Sequence, residues 1–197
     1  RQTSDPLEQA ALATQFVQDE VSYLLNGLNG GNYIPQSPAE TWALRSGDCK
    51  AKSLLLLAML RELGIDAEAV LVQSQTGDAL PEQLPTLTNF DHMIVRADID
   101  GVPYWLDGTN GGLRATNMIE VPRFRYALPL REGGTDLQEM AMRPQTMPDD
   151  DIRLTIDQSA GIDLPAIYDI TMEFSGASAR GYQALSLIED ADQKEDT

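Results

Sequence analysis

The chain has a single cysteine and a single histidine. One cysteine excludes an internal disulfide and any multi-cysteine metal site. With one His, one Cys and no carboxylate cluster joining them, neither a metal centre nor a bound cofactor is expected. Long apolar runs are also missing. Leu54 to Leu60 has the length of a core helix, well short of a membrane span. Cations are scarce, with 14 Lys and Arg against 31 Asp and Glu, a formal net charge of −17. Such a surface repels a phosphate backbone, so nucleic acid is excluded as a partner. Arg123-Phe124-Arg125-Tyr126 is too short and isolated to change that. Neutral or basic polypeptides remain compatible. There is no internal repeat. The chain starts at Arg1 without a signal peptide, so a processed product or a piece of a longer protein is expected.

The 197 residues, 42% of them hydrophobic, suffice for one core and a smaller appendage. The most informative stretch is Ser46-Gly47-Asp48-Cys49-Lys50-Ala51-Lys52-Ser53, which runs directly into the leucine-rich segment. Ser46 or Asp48 can cap a helix there, and Gly64 suits its left-handed end. Cys49 then lies in the first turn, at the positive end of the backbone dipole. Lys50 and Lys52 add charge of the same sign, and both effects favour a thiolate. The unpaired N–H groups of that turn can hold a developing oxyanion. Taken alone, a lone cysteine reads more readily as a buried structural residue, and partners elsewhere in the chain must overturn that.

Upstream, Asp5-Pro6-Leu7-Glu8 reads as a helix start. Leu12, Phe16, Val17, Val21, Leu24 and Leu25 recur at helical spacing and predict one inward face, with Asn26-Gly27 as the stop. Ser37-Pro38-Ala39-Glu40 opens a short second helix carrying Trp42 and Leu44. Gly47 is expected at a place where a side chain would obstruct the backbone. After Gly64, residues 67–73 read as a buried strand. Ser74 to Asn89, with Gly77, Pro81 and Pro85, reads as a surface loop that is either functional or an inert insertion.

Residues 90–97 and 102–107 flank Asp100-Gly101, a two-residue hairpin signal. With that turn, paired residue numbers sum to about 201 and Ile94 faces Asp107. His92 then shares the face of Ile94 and becomes a diagonal neighbour of Asp107, about 7–8 Å away at the backbone. Asp91 points to the opposite face, and Pro103 implies an outer edge. Leu113 to Pro148 reads as a connector of low periodicity. Residues 152–156 and 166–174 alternate and predict two strands of a small β unit. Ser178 to Ile188 is open between helix and strand, and Glu189 to Thr197 reads as a frayed acidic tail.

A thiolate, an imidazole and a carboxylate that orients the imidazole are the parts of nucleophilic cysteine catalysis. GDCKAKS before a leucine-rich helix, then NFDHMIV, then YWLDGT, in that order, resembles the transglutaminase-like superfamily, a branch of the papain-like cysteine enzymes. The resemblance covers about Pro6 to Gly112. It implies an α+β papain-like fold, with the cysteine helix packed on an antiparallel sheet. It also implies Cys49 as nucleophile, His92 as general base and then acid, and Asp107 as the residue orienting His92. The expected domains are a core over 1–115, a connector over 116–150 and a β-rich extension over 151–197. The implied reaction is acyl transfer on a peptide or protein amide through a thioester, by hydrolysis or transamidation. The alternative is a catalytically silent binding module. Calcium, used by some animal transglutaminases, has no evident site. The backbone N–H of Cys49 is the one oxyanion donor the sequence names. Likeness to bacterial members places the protein in the periplasm or another extracytoplasmic site.

Overall fold

Asp5 caps the first helix as its sequence dictates, accepting a hydrogen bond from the Leu7 N–H ahead of α1 (Pro6–Glu20). The computed structural model describes residues 3–24, 34–111, 120–144, 148–175 and 178–179. The buried face of α1 is Ala10, Ala11, Ala13, Thr14 and Val17. That differs from the expected stripe, because Leu12 and Leu24 are exposed and Leu25 lies outside the described residues. The helix ends early for a tertiary reason. Ser22–Tyr23 (β1) pairs in parallel with Ser46–Gly47 (β2). The Ser22 N–H donates to the Arg45 carbonyl and the Leu24 N–H to that of Gly47, so donors that would extend the helix are taken elsewhere.

A capping box between Ser37 and Glu40 starts α2 (Pro38–Leu44), and Arg45 ends it in the left-handed region at φ 52°. The Arg45 guanidinium lies 4.0 Å from the Trp42 ring centroid and 5.0 Å from that of Phe16. Trp42 also stacks on Phe16 at 5.3 Å, which fastens α2 to α1. The next helix, α3 (Cys49–Glu62), is capped by the Asp48 carboxylate through the Ala51 N–H. Gly64, at φ 81°, follows its end. A Cβ at Gly47 would lie 2.6 Å from that of Ala51, so glycine lets β2 press against the first turn of α3.

The central sheet has the order β5-β4-β3-β6-β7, every neighbouring pair antiparallel. Its strands are β3 (Asp66–Val72), β4 (His92–Ile99), β5 (Val102–Leu106), β6 (Tyr126–Pro129) and β7 (Gln138–Glu139). Strand alternation sorts the core into two faces. Ala69, Leu71, Met93, Val95 and Ala97 join Leu56 and Leu60 of α3. Val70, Val72, Ile94 and Trp105 join Val121, Ala127 and Met140 in the other cluster. The fold is thus α+β, with the cysteine helix on a curled antiparallel sheet. Asp98 pairs with Pro103 and Ile99 with Val102, and β5 is the edge strand, as the hairpin pattern predicts. Asp100 and Gly101 both have positive φ, 55° and 77°, the conformation of a type I′ turn.

Two sequence expectations need revision. Residues 126–129 and 138–139, read as connector, are strands of the central sheet, with β6 paired to β3. They are too short for a visible period, and Tyr126–Pro129 becomes a strand because β3 offers a free edge to it. Residues 74–89 are not a plain loop. They form two 3₁₀ turns, Gly77–Glu82 and Leu87–Asn89, with Leu80 buried. The chain divides into a unit over 1–144 and another over 145–197. In the second, β8 (Asp150–Asp157) and β9 (Ile167–Phe174) form an antiparallel hairpin, with Ile152 opposite Met172 and Leu154 opposite Ile170. Most of the segment from 178, with the tail, lies outside the described residues.

Candidate active site

His92 begins β4, and Asp107 directly follows the end of β5. The hairpin register puts them on the sheet face of Ile94 and Trp105, and their side chains meet. The His92 Nε2 lies 3.0 Å from Asp107 Oδ2. The carboxylate thereby engages Nε2, and Cys49 also acts on the ring, through hydrogen bonding and charge. Burial alone would pull the His92 pKa down. The hydrogen bonds to Asp107 and Cys49, with the charge of both, outweigh it and push the value up to about 10. Asp107 responds in the opposite sense. Burial works against its charge, yet the His92 contacts and the Thr109 hydrogen bonds hold its carboxyl below the usual range.

Asp107 is well secured. The Thr109 N–H and Oγ1 donate to Oδ1 at 2.9 and 2.7 Å, and Asn110 Nδ2 donates to Oδ2 at 2.7 Å. Gln18 Nε2, from α1, donates to the Asp107 carbonyl at 2.7 Å. A carboxylate held this way fixes both the tautomer and the tilt of the imidazole. Phe124 closes the other side of the ring, edge-on at 5.8 Å between centroids. Its own backbone is packed tightly, since a Cβ added at Gly77 would fall 1.9 Å from the Phe124 carbonyl oxygen. Asp91 is occupied elsewhere, accepting from the N–H and hydroxyl of Ser74, which ties the 74–89 segment to the start of β4.

The two lysines beside Cys49 act differently from the sequence expectation. Lys50 forms a buried ion pair with Asp48, so its charge is largely spent on the helix cap. Lys52 Nζ donates to the Val21 carbonyl, and burial holds its pKa below the ordinary lysine value despite Asp107 and Asp19 nearby. Both side chains are buried, and Lys52 clamps the segment after α1 to the cysteine helix. The sequence reading missed Gln18, Thr109 and Asn110 as supports of Asp107. The last two carry a local signal, since Asp-Gly-Thr-Asn is a turn in which Asp accepts from N–H two residues on.

Residues 1–100 match the profile of the transglutaminase-like superfamily. The chain belongs to that superfamily. Among solved structures, a proposed protease from Parabacteroides distasonis is similar at 19% identity with a TM-score of 0.55, over 82% of this chain and 32% of the other. The present chain therefore spans about a third of that protein. A proposed cysteine protease from Cytophaga hutchinsonii matches at 17% identity, TM-score 0.40, over 85% of this chain and 44% of the other. Calcium-bound LapG from Legionella pneumophila matches at 17% identity, TM-score 0.44, over 71% and 72%. A comparison with curated proteins finds no match. The Parabacteroides likeness places this transglutaminase-like chain on a shared fold. Among the described residues no helix is long and apolar enough to cross a membrane.

Proposed function

We propose that the chain carries out cysteine-dependent acyl transfer on peptide or protein amides, with Cys49, His92 and Asp107 as the working residues. The observation that carries this reading is the His92 ring, which has the Asp107 carboxylate on Nε2 and the Cys49 thiol as its other partner. An imidazole that holds its proton to about pH 10 stabilises a thiolate beside it as an ion pair. Cys49 Sγ attacks the amide carbonyl, and the π electrons move to oxygen. His92 then delivers its proton to the leaving nitrogen as the C–N bond breaks, leaving a thioester. Water, deprotonated by His92, releases an acid; an amine in its place gives a new amide. Hydrolysis is the preferred outcome, on likeness to the proposed Parabacteroides protease, and an extracytoplasmic, periplasmic setting fits the same bacterial likeness.

A second reading is favoured by one observation. Cys49 is only 1% exposed, which suits a silent binding module whose cleft is closed. Iodoacetamide separates the two. An ordinary cysteine is only about 3% thiolate at pH 7. His92→Ala is therefore expected to slow alkylation of Cys49 by about 30-fold at that pH. Equal, slow rates in wild type and variant would contradict the acyl-transfer reading and leave the binding module.

A further inference from the structure

Residues 74–89 touch the neighbourhood of His92 from two sides. At one end Ser74 donates to both oxygens of Asp91, at 2.8 and 2.7 Å, one residue before His92. Leu80, 3% exposed, anchors the first 3₁₀ turn in the main core. Gly77 opens that turn and is itself buried. It lies so close to Phe124 that an added Cβ would meet the carbonyl oxygen at 1.9 Å and the carbonyl carbon at 2.9 Å.

The backbone that carries Phe124 is unusual. Its N–H donates to the Pro122 carbonyl at 2.8 Å, and its own carbonyl accepts from the Tyr126 N–H at 2.7 Å. These are two successive three-residue turns, and Arg125 in the second has φ 64°. A γ-turn of that sign is rare and strained. Strain of this kind persists only where the surroundings over-determine it. Here Gly77 presses on the Phe124 carbonyl, and the Met140 N–H donates to the Arg125 carbonyl at 2.8 Å. The turn delivers the Phe124 ring edge-on to His92, with centroids 5.8 Å apart, within the range of a favourable aromatic pair. Asp107 anchors one nitrogen of the imidazole, and Phe124 keeps the ring from swivelling about that anchor.

We propose that Phe124 is a positioning residue for His92 and that Gly77 sets its place, so that residues 74–89 are a working part of the catalytic site. This rests on the acyl-transfer reading above. The charges that act on the His92 ring are those of Asp107 and Cys49. An imidazole free to swivel is away from the sulfur part of the time, and a thiolate then lacks its partner.

Iodoacetamide alkylation at pH 7 and pH 10 tests this. An unassisted thiol is about 3% ionised at pH 7 and almost wholly ionised at pH 10. Loss of the imidazolium's help therefore shows at the lower pH alone, whereas a change in access shows at both. Phe124→Leu and Gly77→Ala are each expected to widen the ratio of the pH 10 rate to the pH 7 rate by about 3- to 10-fold, part of the roughly 30-fold available. Leu84→Ser, in the same segment but 86% exposed, is expected to leave the ratio unchanged. If Gly77→Ala does not fold, Phe124→Leu decides alone. An unchanged ratio in Phe124→Leu would overturn the positioning role and leave the triad standing, provided the ratio still widens in His92→Ala. An unchanged ratio in a folded Gly77→Ala would overturn the part given to residues 74–89. A ratio indifferent to His92 would remove the triad and this proposal together.

Discussion

Asp107→Asn is expected to slow acylation of Cys49 by p-nitrophenyl acetate about 100-fold at pH 7. Asparagine keeps the size of the side chain, so Thr109 and Asn110 retain a neighbour of similar shape. What it removes is the charge facing His92 Nε2 at 3.0 Å. The Asp107 hydrogen bond heads the influences that raise the His92 pKa, and its charge adds to them. Without them, burial is opposed by the thiol alone and the imidazole loses its proton well before pH 10. The sulfur nucleophile then loses the imidazolium beside it, which for a thiol of ordinary pKa is worth about 30-fold at pH 7. An amide in place of the carboxylate can also hold the ring in the wrong tautomer, which in a comparable triad is costly by itself. Kinetics of p-nitrophenolate release check this, and an unchanged rate would remove Asp107 from the mechanism.

Asp107→Ala is expected to cost about 3–5 kcal/mol of stability at pH 6, because it leaves a largely but not fully buried His92 without its counter-charge. The cost depends on pH in a definite direction. His92 has a folded-state pKa raised from 6.5 to about 10. Its contribution is complete below about pH 6.5 and is lost as the pH rises through 10. Asp107 has a depressed folded-state pKa, so its contribution is present above the ordinary carboxylate value of about 4 and disappears as the pH falls through the lower one. The gap between wild type and Asp107→Ala is therefore widest between about pH 4 and 6.5 and shrinks towards pH 10. Urea unfolding at pH 6 and pH 10 reads it directly. An identical gap at both values would mean that Asp107 acts through Thr109 and Asn110 rather than through His92.

The parts of the molecule that local chemistry specifies were readable in its sequence. Asp100-Gly101 fixed the hairpin turn, and the turn fixed the register that brings His92 to Asp107. Asp5-Pro6 and Ser37-Pro38 set two helix starts, and Gly47 marked a close backbone approach. What escaped was decided by distant partners. Val21 to Leu24 has helical spacing, but the Arg45 and Gly47 carbonyls draw it into an extended strand. Lys50 and Lys52 were legible as charges but not as the Asp48 and Val21 partners they turn towards. Tyr126–Pro129 is too short to show a period, and only the edge of β3 makes it a strand.

His92 is the chain's single histidine, so an NMR pH titration of imidazole-labelled, untagged protein reads it without assignment. The account predicts a wild-type titration near pH 10. It predicts a lower value in Cys49→Ser and a larger fall, to the ordinary 6.5 region or below, in Asp107→Asn. A wild-type histidine that titrates near 6.5 and ignores both substitutions would contradict the coupling of thiol, imidazole and carboxylate.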